Sequence, residues 1–157
     1  MSEFETEDDQ IVGPPLLAQV FRLRFHRIYA LLTTLGIYPG QHHLLMQLGR
    51  LDGISQVDLA KMLMIKPSTL TVMVGRMARM GLVVKKQDEL DKRVLRIYLT
   101  EKGKDTLAEA HSRMKQVEKE TFEGFSDEEL MQFGRFAQRM KQNLSQANKG
   151  DTTCHWF

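Results

Sequence analysis

The stretch SQVDLAKMLMIKPSTLTVMVGRMARMG, residues 55–81, decides the fold. Ser55 has the chemistry of an N-cap, and Asp58 three residues on approximates a capping box. Leu59, Ala60 and Leu63 then recur at helical spacing, so 55–65 reads as one short helix. Lys66-Pro67 interrupts it, because proline suits the first turn of a new helix and disfavours continuation of the old one. Leu70, Met73, Val74, Met77 and Met80 form the next apolar stripe over 66–81, and Gly81 ends it. Two helices joined by so short a turn make a helix-turn-helix, in which the first braces the second and the N-terminal residues of the second face outward.

Downstream the period changes from 3.6 to 2. LVVKK (82–86) and VLRIYLT (94–100) read as two strands, with Leu95, Ile97 and Leu99 on one face. Between them lies a charged turn holding Asp88, Glu89, Asp91, Lys92 and Arg93. A β-hairpin directly after a helix-turn-helix is a wing. Thr100 caps a further helix from 101 whose stripe is Leu107, Ala110, Met114 and Val117. Ser126 and Glu129 form a capping box for a last helix over 126–144, with Leu130, Phe133, Ala137, Met140 and Leu144 on its stripe.

Upstream, PGQHHLLMQLGRLDG (39–53) is a helix with Leu44, Leu45, Leu48 and Leu51 inward. Residues 13–36 form another, with Leu17, Val20, Phe21, Ile28, Leu31 and Leu32 at helical spacing. Leu16, Leu23, Phe25 and Tyr29 lie off that stripe, and a helix apolar on more than one side needs more than one partner. The fold class is therefore mainly α with a small β-hairpin, an α+β winged helix-turn-helix flanked by N- and C-terminal helices.

Charge is distributed unevenly along the 157 residues, although the formal net charge is only +2. Residues 1–10 contain five acids and no base and read as a disordered acidic leader. Residues 55–104 carry eleven Lys or Arg against five Asp or Glu, a local excess of +6 that points to a polyanion such as nucleic acid. No signal peptide or run of about 18 apolar residues is present, so no membrane partner is expected. The single cysteine, Cys154, has no internal disulfide partner, which fits a cytoplasmic location. No phosphate loop, nucleophile elbow or zinc-hydrolase motif occurs, so the chain is not expected to be an enzyme and no cofactor is expected.

These residues resemble the MarR-type (multiple antibiotic resistance) transcriptional regulators. The resemblance rests on SQVDLAKML, KPSTLTVMVGRMARMGLV, the Asp91-x-Arg93 wing signature and LTEKG (99–103), and with the flanking helices it covers about 11–145. It implies one domain over 11–145, with a winged helix-turn-helix at about 37–100, dimerisation helices at about 11–36 and 101–145, and a tail at 146–157. It implies a homodimer on double-stranded operator DNA, more often a repressor than an activator. Lys66, Pro67, Ser68, Thr69, Thr71, Val72 and Arg76 would face the major groove. Lys86 and Lys92 would neutralise phosphates together with Lys85, Arg93 would enter the minor groove, and Asp91 would brace Arg93 or the turn.

Val72 departs from the polar or basic residue common in such helices. It can touch a thymine methyl but cannot read guanine. Gly75 stands where a carboxylate is common. Asp88 and Glu89 oppose contact with DNA and are expected to point away from it at the turn. Relatives commonly release DNA when a small aromatic or phenolic acid binds, and Arg24, His26, Arg27, Tyr38 and His42 are the candidates for such an effector site. Some relatives bind zinc near the positions of His42, His43 and His111. Adjacent histidines on a helix diverge by about 100°, however, and His111 has no His or Cys at i±4, so no metal site is assigned. The alternatives are a winged-helix protein-interaction module that has lost DNA readout, and a metal-responsive member of the same family.

Overall fold

In the computed structural model, which describes residues 14–147, the period-3.6 stripes form six helices: α1 (Pro14–Thr33), α2 (Pro39–Arg50), α3 (Gln56–Met62), α4 (Pro67–Arg79), α5 (Glu101–Thr121) and α6 (Asp127–Ala147). The acidic leader and the tail with Cys154 lie outside the described residues. The hairpin strands β2 (Val83–Gln87) and β3 (Leu95–Leu99) pair antiparallel, with Lys85 opposite Ile97 and Lys86 opposite Arg96. A two-residue strand, β1 (Ile54–Ser55), adds to the other edge of β3 and makes a three-stranded sheet in the order β1-β3-β2. Nothing in the period of so short a segment distinguishes β1 from a helix cap, and its existence was not read from the sequence.

The boundaries follow local chemistry. Ser126 and Glu129 exchange both bonds of a capping box, the Ser126 N–H donating to the carboxylate and the Glu129 N–H to the hydroxyl. At Ser55 the hydroxyl accepts from the Asp58 N–H and donates to the Asp58 carboxylate at 2.6 Å. Expected ends overran where the last turn tightens. After Thr33 the N–H groups of Leu35 and Gly36 bond to Leu32 and Thr33 carbonyls, three residues back, so the α-helix stops before Gly36. Leu51 lies just beyond α2 and is 52% exposed, not inward as its spacing suggested.

The core sits where α2, α3, α4, β3 and the start of α5 meet. Leu44, Leu45, Leu48, Leu59, Leu70 and Ile97 have no exposed surface. The Leu-Thr-x-x-Gly motif is explained here. The Thr100 hydroxyl accepts from the Gly103 N–H and donates to the Gly81 carbonyl. Gly103 is pressed against the backbone that leads into β2, since a Cβ there would lie 2.0 Å from the Leu82 carbonyl oxygen. The turn between α3 and α4 passes through Met64, a non-glycine residue held at φ 52, in the left-handed region.

Candidate nucleic-acid interface

The first turn and a half of α4 presents Lys66, Ser68, Thr69, Thr71 and Val72 to solvent, with Arg76 one turn further on. Leu70, Val74 and Met77 fill the opposite side, so burial of that stripe fixes which residues face out. The outward residues are not equally free. Thr71 Oγ1 donates to the Pro67 carbonyl at 2.9 Å and accepts from Gln56 Nε2 at 2.8 Å. This pair ties the start of α3 to the outer face of α4, and its hydroxyl hydrogen is committed within the protein.

Gln56 also lines a groove of about 480 Å³ with Ser55, Asp58, Arg93, Val94 and Arg96. One glutamine therefore connects the outer face of α4 to the wing, and Thr71 and Arg93 belong to one continuous surface. Among the described residues the Arg93 guanidinium has no ion-pair partner within 4.0 Å.

The wing tip is built by two carboxylates acting on backbone. Asp91 Oδ1 accepts from the Arg93 N–H at 2.9 Å, so Asp91 holds the turn and not the arginine's side chain. Asp88 Oδ1 accepts from the N–H groups of both Leu90 and Asp91 at 2.9 Å, and Asp88 Oδ2 pairs with Arg96 Nε. Arg96 Nη1 continues to the Gly53 carbonyl at 2.9 Å, which anchors the wing stem to the turn after α2. Two backbone N–H donors and a guanidinium favour the ionised carboxylate, and they hold Asp88 well below the usual range, at about 2, with the Asp91 N–H the largest contribution.

Asp88 is thus turned inward, only 13% exposed, and is the structural anchor of the turn, while Glu89 stays exposed. The anchoring role of Asp88, and any role for Arg96 and Gln56, are what sequence reasoning missed. For Asp88 a signal existed, since an Asp whose carboxylate can accept from the backbone N–H groups two and three residues on is an Asx-turn signature. For Arg96 and Gln56 the partners are distant and no local pattern points to them.

The basic residues separate by strand alternation. Lys85 and Lys86 are neighbours in β2 and project to opposite faces, so one flat surface cannot take both. Lys86 stands over the Tyr98 ring, its Nζ 5.2 Å from the centroid. Lys92 is exposed at the tip.

The five residues considered for an effector have separate surroundings. Arg24 pairs with Glu118 at 3.0 Å, and Arg27 forms a two-pronged pair with Glu120 at 2.6 Å, so both guanidiniums tie α1 to α5. Glu120 is held down to about 2 by the Arg27 hydrogen bonds first and by Gln116 second. His26 is exposed. His42 is 7% exposed, with Nε2 unpartnered and its ring edge-on to His111 at 6.2 Å. Burial first, then the nearby His111, lowers its pKa. Tyr38 borders a cavity of about 810 Å³ with Gln41, Val72, Met73, Arg76 and Arg79, and the other four do not line it. Among the described residues no three His, Cys, Asp or Glu side chains are grouped to hold a metal ion, and no helix is long and apolar enough to cross a membrane.

Comparison with known proteins bears on this surface. Residues 37–95 match the model of the MarR family. An uncharacterised HTH-type transcriptional regulator of Bacillus subtilis, YsmB, is 27% identical over 114 residues, covering 73% of this chain and 78% of the relative. The HTH-type transcriptional repressor MdtR of the same organism is 23% identical over 121 residues, covering 72% and 78%. Among solved structures, a Cys-to-Ser mutant of Escherichia coli MarR complexed with operator DNA superposes with a TM-score of 0.67 at 21% identity, over 80% of this chain and 91% of that one.

Proposed function

We propose that the chain is a MarR-type, sequence-specific DNA-binding transcriptional regulator, a reading supported by the match of residues 37–95 to the MarR family model and by their winged helix-turn-helix fold. It acts as a homodimer on a pseudo-palindromic operator. The carrying observation is the continuity of the outer face of α4 with the wing through Gln56, which lets one helix occupy a major groove while Arg93 reaches the adjacent minor groove. Ser68, Thr69 and Arg76 supply hydrogen bonds at base edges and phosphates. Lys66, Lys86 and Lys92 supply charge, and Asp91 keeps the tip in shape.

The dimer reading rests on apolar surface left uncovered on α1 and α6, and two half-sites about 34–36 Å apart follow from it. Repression, by analogy with the MdtR relative, and release by a small aromatic acid complete the reading. For that effector the hollow beside Tyr38, with Arg76 and Arg79 at its edge, is a better receptor than Arg24 and Arg27, which are already paired.

The test is binding to duplexes selected from random DNA at several salt concentrations. Log K is expected to fall with log salt by about 0.9 per phosphate contacted. Salt-independent binding, or recovery of no duplex, favours a protein-interaction module instead. Arg93→Ala should weaken operator binding several-fold and leave the sedimentation coefficient unchanged. Equal affinity for both proteins contradicts the assigned role of the wing.

A further inference from the structure

Resting on the DNA-binding reading above, we propose that the centre of the α4 face reads thymine through its C5-methyl group, with Thr71 and Val72 as the contacting residues and Gln56 as the residue that positions Thr71.

Thr71 is exposed, yet its hydroxyl donates to the Pro67 carbonyl and accepts from Gln56 Nε2. It has no hydrogen left to donate to a base acceptor. What it can still offer is a methyl group and one lone pair. Val72 is adjacent, 56% exposed, and wholly apolar. Gly75, one turn beyond Val72 on the same side, contributes no side chain, and the space its Cβ would occupy is open.

The face is therefore graded. Hydroxyls of Ser68 and Thr69 lie at its start, an apolar patch without a usable donor lies at its centre, and the Arg76 cation lies at its end. An adenine or guanine edge in the major groove presents hydrogen-bond acceptors that want donors, and cytosine presents a donor that wants an acceptor. Thymine alone offers an apolar group, so an apolar centre discriminates for it and against bases whose polar atoms it would leave unpaired. The Gln56 bond narrows this choice, because it occupies one of the two lone pairs with which the Thr71 oxygen could accept from a cytosine or adenine amino group.

The experiment starts from duplexes that the full chain selects from random DNA. Each thymine is replaced in turn by deoxyuridine, which removes only the methyl group. At one or two positions per half-site, loss of about fourfold in affinity per methyl is expected, corresponding to about 0.8 kcal/mol. Thymines read only from the minor groove should be indifferent, since the methyl lies in the major groove.

The thymine-to-uracil ratio is then measured for variants, each serving as its own reference so that altered folding cancels. Val72→Ala and Thr71→Ser should reduce the ratio towards one. Thr71→Val, which keeps the methyl and loses the hydroxyl, should preserve it. Binding that is indifferent to uracil at every position overturns this inference and leaves the DNA-binding reading standing. So does a ratio unchanged in both Val72→Ala and Thr71→Ser. Recovery of no duplex at all overturns both.

Discussion

In the winged lobe Leu44, Leu45, Leu70 and Val74 have no exposed surface, whereas along α6 Phe133 and Phe136 remain 41% and 48% exposed and no residue is buried. Both regions carry apolar stripes at helical spacing. The lobe has a partner for each stripe within the same chain, because α2, α3, α4 and the sheet converge. Near the start of α6 the Phe122 and Phe133 rings meet at 5.3 Å, and further along the stripe Phe136 and Leu144 stay exposed. Fully burying one large apolar side chain is worth about 1.5–3 kcal/mol. The lobe has collected that energy from its own sequence, whereas among the described residues α6 and the outer side of α1 leave it uncollected.

The largest expected effect breaks that contrast. Phe133→Asp combined with Phe136→Asp should convert a dimer into monomers, read by analytical ultracentrifugation, while far-ultraviolet circular dichroism stays helical in the lobe. A dimer of unchanged stability would place the interface elsewhere. Next, one and the same deletion should cost very different amounts by location. Leu70→Ala in the lobe should lower the unfolding free energy by about 2–5 kcal/mol, and Leu51→Ala, at an exposed site, by no more than about 0.5 kcal/mol, both measured by urea denaturation. Similar costs at the two sites would contradict the assigned core.

A smaller effect concerns acid. Asp88 and Glu120 titrate near 2 in the folded chain, below their ordinary 3.8 and 4.5. A depressed folded pKa means that the unfolded chain takes up the proton first. Their stabilisation is therefore complete above the ordinary values and is lost as pH falls from about 4.5 towards 2. Replacing both, as Asp88→Asn with Glu120→Gln, should flatten the pH dependence of the melting temperature across that window and lower it at neutral pH. An unaltered slope would show that the carboxylates are not so engaged. Smallest and opposite in sign, Gly75→Ala should raise stability by about 0.5–1 kcal/mol, since the site is mid-helix and sterically open. A loss of stability would mean that the position is not the open site described.

How much of this was legible beforehand follows from the range of the interactions involved. Helix stripes, the Ser126–Glu129 box, the Thr100 cap and the alternation of β3 are patterns within four residues, and the sequence displays them directly. The roles of Arg24 and Arg27 were not legible, because their partners Glu118 and Glu120 lie more than ninety residues away on α5. An arginine that closes an ion pair and one that awaits an anionic ligand look the same in a sequence. The same holds for Thr71. Its identity suggested a donor to DNA, and only the position of Gln56 reveals that the hydroxyl is engaged. Strand β1 escaped because two residues are too few to carry a period.

The inward turn of Asp88 also bears on the speed and entropy of association. A hairpin tip that ordered only on contact would lose conformational freedom at that moment, at about 1–2 kcal/mol per backbone residue. Here the Asp88 and Asp91 carboxylates and the Arg96 tie to Gly53 fix the tip in the free chain. The ordering is completed during folding, so in the proposed complex the wing would dock as a rigid probe whose affinity is set by what it touches rather than by what it must freeze.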